Sequence, residues 1–252
     1  MVMKNLLSGK RNGLALLALL LLLISPMTLL VSHIELLAPV SDWQGAFFTL
    51  ATHSAGSGGF IVTLAILVLG VMTLKLTPKQ NLAKAMQLVL ILLIGFAAKT
   101  GLKQATESPR PYTELLAHQL LVPNPDHFYQ LSASQQEKII TSVSENVSHW
   151  RTQHWLGETD YSFPSGHTIF VAICVAFFGG LFLEHKRYAF VTGMMVWAAT
   201  VAYSRLWLGM HRPIDLIGSI LFVMVVYALL PHFDGLASKL SQQLNLHKRC
   251  TH

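Results

Sequence analysis

The sequence is poor in charged residues and in cysteines. Charged side chains make up only 12% of its 252 residues, whereas a soluble domain usually carries about 25%. Cys174 falls in an apolar run and Cys250 in the C-terminal tail, so a disulfide framework is excluded. With 52% hydrophobic residues and a mean hydropathy of +0.49, this shortage of charge indicates an all-α, polytopic membrane protein.

The sequence lacks the residues for two common kinds of catalytic site and for a nucleic-acid interface. A two-metal catalytic site needs clustered carboxylates and imidazoles, but the 12 acidic residues are scattered along the chain. A cysteine nucleophile needs a thiol beside an anion-binding loop, and Cys174 lies in the middle of an apolar run. The net charge is +6, yet no basic stripe with interleaved aromatics suggests a nucleic-acid partner.

Six apolar windows are long enough to cross the roughly 30 Å of membrane hydrocarbon. They cover residues 13–31, 58–74, 83–99, 168–184, 188–205 and 214–231. The first follows Lys4, Lys10 and Arg11, as in a signal peptide, but it continues past Pro26 and has no small-residue cleavage site after it. We therefore predict six transmembrane helices.

The distribution of Lys and Arg predicts the orientation of these spans. Basic residues occur before the first window, in loop 75–84, in turn 185–187 and in the tail, while loop 32–56 has none. Because cytoplasmic loops are enriched in Lys and Arg, both termini are predicted to be cytoplasmic. Segments 32–56, 100–167 and 206–213 are then outside.

Residues 104–160 form a polar insert between the third and fourth spans. The letters SQQE at 134–137 match a capping box, and apolar residues recur at helical spacing from Ile139 to Trp150. We predict a small helical cap on the periplasmic face. No linker interrupts the chain, which indicates one domain over 1–252.

Three polar clusters border the spans on the predicted outer side. They contain Lys103 and Arg110 after span three, Ser165, Gly166 and His167 at the start of span four, and Arg205, His211 and Asp215 between spans five and six. Basic residues are unusual on this side. Lys103, Arg110 and Arg205 would neutralise a dianion. The start of span four, with Ser165 as N-cap, would add backbone N–H donors, so the clusters predict a phosphate site.

The histidines of these clusters suggest distinct roles. Asp215 falls in the first turn of span six, from which its carboxylate can orient the imidazole of His211 as nucleophile or base. His167 has no neighbouring carboxylate in the sequence and could protonate a leaving oxygen. These residues predict a phosphohistidine route. We expect the side chain of Lys99 to snorkel to the membrane interface and that of His53 to lie at the interface. We expect His154 to pack in the cap, and we assign no role to Arg212.

The motifs resemble a known family. The stretches KQATESPRP (Lys103 to Pro111), PSGH (Pro164 to His167) and SRLWLGMHRPID (Ser204 to Asp215) resemble, in order, the three-part signature of the type 2 phosphatidic acid phosphatase superfamily. The resemblance implies hydrolysis of lipid phosphates in the bacterial inner membrane, without a metal or cofactor and without an obligate protein partner. It also implies that His211 is the nucleophile, Asp215 its orienting group and His167 the acid. The implied phosphate-binding residues are Lys103, Arg110, Ser165, Gly166 and Arg205.

Two other functions stay open. A lipid-to-lipid phosphotransferase would share the phosphohistidine step. A six-helix lipid transporter would place ionisable residues near the bilayer midplane, whereas the charges here lie at the edges of the spans. Phosphatidylglycerol phosphate, undecaprenyl pyrophosphate, phosphatidic acid, lysophosphatidic acid and diacylglycerol pyrophosphate are all compatible substrates.

Overall fold

The computed structural model describes residues 9–31 and 34–241, and within these ranges it is helical with no strand, which confirms the all-α class. The helices are α1 Arg11–Ile24, α2 Met27–Val31, α3 Asp42–Ala55, α4 Phe60–Met72, α5 Pro78–Thr106, α6 Pro111–His118, α7 Ala133–Val143, α8 His149–Gly157, α9 Gly166–Glu184, α10 Tyr188–Trp207, α11 Pro213–Leu229 and α12 Asp234–Ser241. A 3₁₀ turn covers Pro125–Gln130.

Helix α9 is the centre of the bundle. Its sequence is apolar on every face, and residues 168–182 are all buried, as expected for a helix that is surrounded by protein. Helices α1, α5, α10 and α11 pack around it. The first turn of α9 therefore starts in the middle of the molecule, and this turn carries His167.

Two helical stretches are long and apolar enough to cross a membrane, Pro78–His118 and α9. Helices α3 and α4 form a pair bent by 69°, and α11 and α12 a pair bent by 57°. If each pair is one span, the described part of the chain has four spans. Six spans remain a prediction.

The insert between α5 and α9 has an apolar core of its own. Its buried residues are Tyr112, Leu116, Val122, Phe128, Ile140, Val143, Val147 and Trp155, together with Trp207 at the end of α10 and Leu208 and Met210 after it. The indole N–H of Trp155 donates to the carbonyl of Leu208 (2.7 Å). This packing fixes the insert against the connection that carries His211.

The helices of the insert differ in detail from the sequence prediction. Helix α7 begins at Ala133 and is capped by Ser132 with Gln135, two residues before the predicted capping box. The helical spacing predicted over 139–150 is divided between α7 and α8. Helix α3 lies in segment 32–56, for which the sequence indicated only a loop.

Candidate active site

The three polar clusters, which are far apart in the sequence, meet at one end of the bundle. Lys103 lies near the end of α5, His167 in the first turn of α9, and Arg205 near the end of α10. The segment 158–162, which joins the insert to α9, contacts the first and third clusters and leads along the chain into the second. For example, the Nζ of Lys103 donates to the carbonyl of Tyr161 (2.5 Å).

The imidazole of His211 faces a carboxylate, as the spacing predicted. Its Nδ1 lies 3.4 Å from Oδ2 of Asp215, and both side chains are buried. Burial is the main cause that lowers the pKa of His211 to about 3; the hydrogen bond with Asp215 opposes this shift, and Arg110 and Arg205 add to it. His211 is therefore neutral near pH 7. With its proton on Nδ1, its Nε2 lone pair is available as a nucleophile.

Ser162 also contacts this pair, and sequence reasoning did not identify it. Its hydroxyl donates to Oδ2 of Asp215 and lies 3.4 Å from Nδ1 of His211. The backbone N–H of Arg212 donates to the same oxygen (2.8 Å). The only signal for Ser162 in the sequence was a hydroxyl residue three positions before Ser165 in YSFPSGHT.

The start of α9 is capped as predicted. The hydroxyl of Ser165 accepts from the N–H of Thr168 (3.3 Å), and the N–H of Ser165 donates to Ser219 on α11 (3.0 Å). Gly166 lies against the side chain of Lys99, whose Cδ would be 2.8 Å from a Cβ at this position, so a larger residue would displace the lysine.

The three predicted phosphate-binding cations, Lys103, Arg110 and Arg205, are called the cation cluster below. In the structure they pair with two carboxylates. Arg205 donates to Oε2 of Glu158 (2.7 Å), and Arg110 lies 3.3 Å from the same oxygen. Asp160 pairs with Arg110 (2.5 Å) and with Lys103 (2.8 Å). The segment 158–160 therefore supplies a carboxylate to every member of the cluster.

Glu158 is held as an anion by this environment. Burial alone would raise its pKa, but Arg205, His167 and Arg110 together hold the pKa of Glu158 well below its usual range. The pKa of Asp160 is lowered in the same way, because Arg110 and Lys103 outweigh its burial. Neither residue was identified from the sequence, although both precede the PSGH motif directly.

A cavity of about 530 Å³ opens beside the cation cluster. His167, Arg205 and Glu158 line it, together with three residues to which the sequence gave no site role: Lys99, His53 and His154. His211 lines a different cavity of about 580 Å³, together with residues that include Val31, Ile34, Leu36, Pro111 and Ile217.

Comparison with known proteins supports the motif assignment. A family model described as PAP2 superfamily matches residues 84–237. Phosphatidylglycerophosphatase B of Haemophilus influenzae is 32% identical over 189 residues, which are 72% of this chain and 78% of the relative. Phosphatidylglycerophosphatase B of Escherichia coli K12 is 33% identical over 129 residues, half of each chain. The matched family region contains all three clusters.

Proposed function

Because the chain belongs to the PAP2 superfamily and is a phosphoester hydrolase, we propose that it removes the terminal phosphate of membrane lipids through a phosphohistidine at His211. One observation carries the proposal: a single short segment, 158–162, contacts both the cation cluster and the pair of His211 and Asp215. Phosphatidylglycerol phosphate is the first substrate to test, because it is the one named for the relatives.

Binding starts with an exchange of anions. The substrate phosphate replaces Glu158 and Asp160 on the cation cluster, where guanidinium groups can bind two phosphate oxygens at once. The N–H groups at the start of α9, near Ser165 and Gly166, supply further donors. Lipid phosphates meet this requirement because their terminal group is a dianion.

The chemical step uses both histidines. Nε2 of His211 attacks phosphorus and forms an N–P bond, while Asp215 accepts the Nδ1 proton in a hydrogen bond and stabilises the imidazolium. The bond from phosphorus to the leaving oxygen breaks, and its electron pair stays on that oxygen. His167 gives this oxygen a proton.

The second step regenerates the enzyme. His167, now neutral, removes a proton from water, and the water oxygen attacks the phosphohistidine and releases inorganic phosphate. If a lipid alcohol took the place of water, the same intermediate would give phosphotransfer.

We propose a multi-pass protein of the bacterial inner membrane with its site on the periplasmic face and both termini in the cytoplasm. Lys and Arg distribution supports this orientation. A site at the membrane boundary would suit a substrate with a hydrated head group and acyl chains that stay in the bilayer.

The test is phosphate release by the purified protein in detergent, with EDTA present and with the five candidate lipids as substrates. His211→Ala and His167→Ala should each lower turnover by about 10³-fold or more. His211→Ala should also form no acid-labile phosphoenzyme. The control is His118→Ala on the exposed end of α6, which should behave as wild type.

Activity within tenfold of wild type for either variant would contradict the mechanism. A phosphoenzyme that still forms in His211→Ala would assign the nucleophile to another residue. Phosphate release that stops with EDTA would contradict the metal-independent route. Transfer of the terminal phosphate to an added lipid alcohol, with no release of inorganic phosphate, would favour phosphotransfer.

A further inference from the structure

The two catalytic histidines of the proposed mechanism line different cavities. His167 lines the 530 Å³ cavity beside the cation cluster, whereas His211 lines the 580 Å³ cavity. In a phosphoryl transfer, the attacking and leaving atoms lie roughly in line on opposite sides of phosphorus. The leaving group therefore departs away from His211 and toward His167, which places it in the 530 Å³ cavity. We call it the leaving-group cavity.

The wall of this cavity is richer in donors than a plain alcohol requires. His53 and His154 face each other there, with ring centroids 5.4 Å apart. Lys99 and Gln153 line the same cavity. The wall also carries two acidic residues, Glu158 and Asp160, which pair with the cation cluster in the structure and which the terminal phosphate would replace there.

His154 is positioned by the neighbouring helix. Its Nε2 lies 3.2 Å from the hydroxyl of Thr49 on α3. Burial, then Arg205 and His53, lower the pKa of His154 to about 4. A neutral imidazole at this position can donate one N–H to an anion that enters the cavity.

From this arrangement we infer that His53 and His154 form a subsite for a second phosphate, one that remains on the leaving group. The inference rests on the proposed function. It makes these two residues determinants of the preference for substrates whose leaving group carries a second phosphate, such as lipid pyrophosphates, over those whose leaving group is a plain alcohol.

With a lipid pyrophosphate as substrate, one bond to the terminal phosphorus forms and one breaks. The bond from Nε2 of His211 to the terminal phosphorus forms, and the bond from that phosphorus to the bridging oxygen breaks. The electron pair goes to the bridging oxygen, which departs as part of a lipid monophosphate. The imidazole N–H groups of His53 and His154 donate to the remaining oxygens of that monophosphate.

The experiment compares two substrates with the same acyl chains, dioleoylglycerol pyrophosphate and dioleoyl phosphatidic acid, with the purified full-length protein in detergent. His154→Ala should lower kcat/KM for the pyrophosphate about tenfold or more, because a hydrogen bond to a charged group is worth about 1.5–3 kcal/mol and about 1.4 kcal/mol corresponds to tenfold. Its kcat/KM for phosphatidic acid should change less than about threefold. His154→Gln, which keeps an N–H donor, should recover part of the loss.

Because His154 is buried, its substitution could also disturb the fold. A second variant, at an exposed residue, separates loss of the subsite from misfolding. His53 is exposed, so His53→Ala should fold and show the same selective loss. Methylenebisphosphonate, which has two phosphonate groups, should inhibit wild type more strongly than inorganic phosphate does. In His53→Ala the two inhibitors should be equally strong.

Two results would overturn the inference: equal losses on both substrates, or no loss on the pyrophosphate in either variant. Failure of the proposed function would look different, because wild type would then release phosphate from neither lipid. His118→Ala serves again as the control.

Discussion

Oδ2 of Asp215 is surrounded by three donors. It accepts from the backbone N–H of Arg212 and from the hydroxyl of Ser162, and it faces Nδ1 of His211. The other oxygen, Oδ1, is buried with no hydrogen-bond partner among the described residues. The carboxylate is thus fixed by donors on one side, which determines the direction in which it holds the imidazole.

We therefore predict that Ser162 positions Asp215 for catalysis. Ser162→Ala should lower kcat about tenfold or more with little change in KM, since it removes a hydrogen bond to a charged group. Ser162→Thr, which keeps the hydroxyl, should recover activity. Steady-state kinetics on phosphatidic acid measure both parameters.

The control for this prediction is Ser204→Ala. Ser204 is equally buried, and its hydroxyl donates to the Val201 carbonyl in its own helix (2.6 Å). If both variants lose activity equally, or if Ser162→Ala changes only the melting temperature, Ser162 is structural.

The sequence alone predicted most residues of the candidate site, but it predicted few of the contacts between them. The spacing of His211 and Asp215 predicted a contact because it is local: both residues flank the first turn of one helix. The contacts of Ser162 and Glu158 depend on tertiary packing, since their partners lie 47 to 53 positions away. The periodicity of a sequence gives no information about contacts between residues so far apart in the chain.

Among the elements, the segment 158–160 has the largest effect on the site. It leaves α8 at Gly157, and Trp155 fixes the end of that helix against Leu208. From there Glu158 and Asp160 reach all three cations. An anionic segment in the position proposed for phosphate should compete with phosphate.

Glu158→Gln tests this competition. Without the carboxylate, Arg110 and Arg205 should bind inorganic phosphate more tightly, and the inhibition constant for phosphate should fall about fivefold, equivalent to about 1 kcal/mol. The control is Glu137→Gln on the exposed face of α7. An inhibition constant that is unchanged or higher would mean that Glu158 orients the guanidinium groups instead.

Several elements were predictable because they are long, apolar runs. The windows at 83–99, 168–184, 188–205 and 214–231 fall on α5, α9, α10 and α11. Helix α3 was missed because its 14 residues, DWQGAFFTLATHSA, mix polar and apolar side chains and are too short for a span. The bend between α3 and α4 lies at residues 56–59, GSGG, at the boundary between the predicted loop 32–56 and the window 58–74, which gave no sign of it.

For the whole molecule, the carboxylates of the site predict the response to acid. The pKa values of Glu158 and Asp160 are lowered in the fold, so their contribution to stability is complete above the unfolded values near 4 and is lost as pH falls through the lower folded values. The melting temperature in detergent should therefore fall below about pH 4.

The double variant Glu158→Gln with Asp160→Asn should have a lower melting temperature than wild type at pH 7. Its melting temperature should also fall by less than that of wild type on acidification. Thermal melts of both proteins between pH 7 and pH 3 make the comparison. Parallel curves would show that other groups govern the acid response.

The proposed orientation also belongs to the whole molecule. In a background with Cys174→Ala and Cys250→Ala, Glu145→Cys in the insert should react with a membrane-impermeant maleimide in spheroplasts. Lys186→Cys, in the turn between α9 and α10, should react only after lysis. Both sites are exposed, so the reverse pattern would invert the topology.

The burial of α9 on every side has a consequence for the lipid surroundings of the enzyme. Apolar side chains are exposed on outer helices such as α4, where Ile61, Ile66 and Leu69 lie on the surface, while residues 168–182 of α9 are covered by protein. Bilayers of different thickness act on helices that contact lipid, which tilt or shift to match. Since residues 168–182 have no such contact in the described part of the molecule, the end of α9 that carries His167 should keep its position along the membrane normal relative to α11 when membrane composition changes.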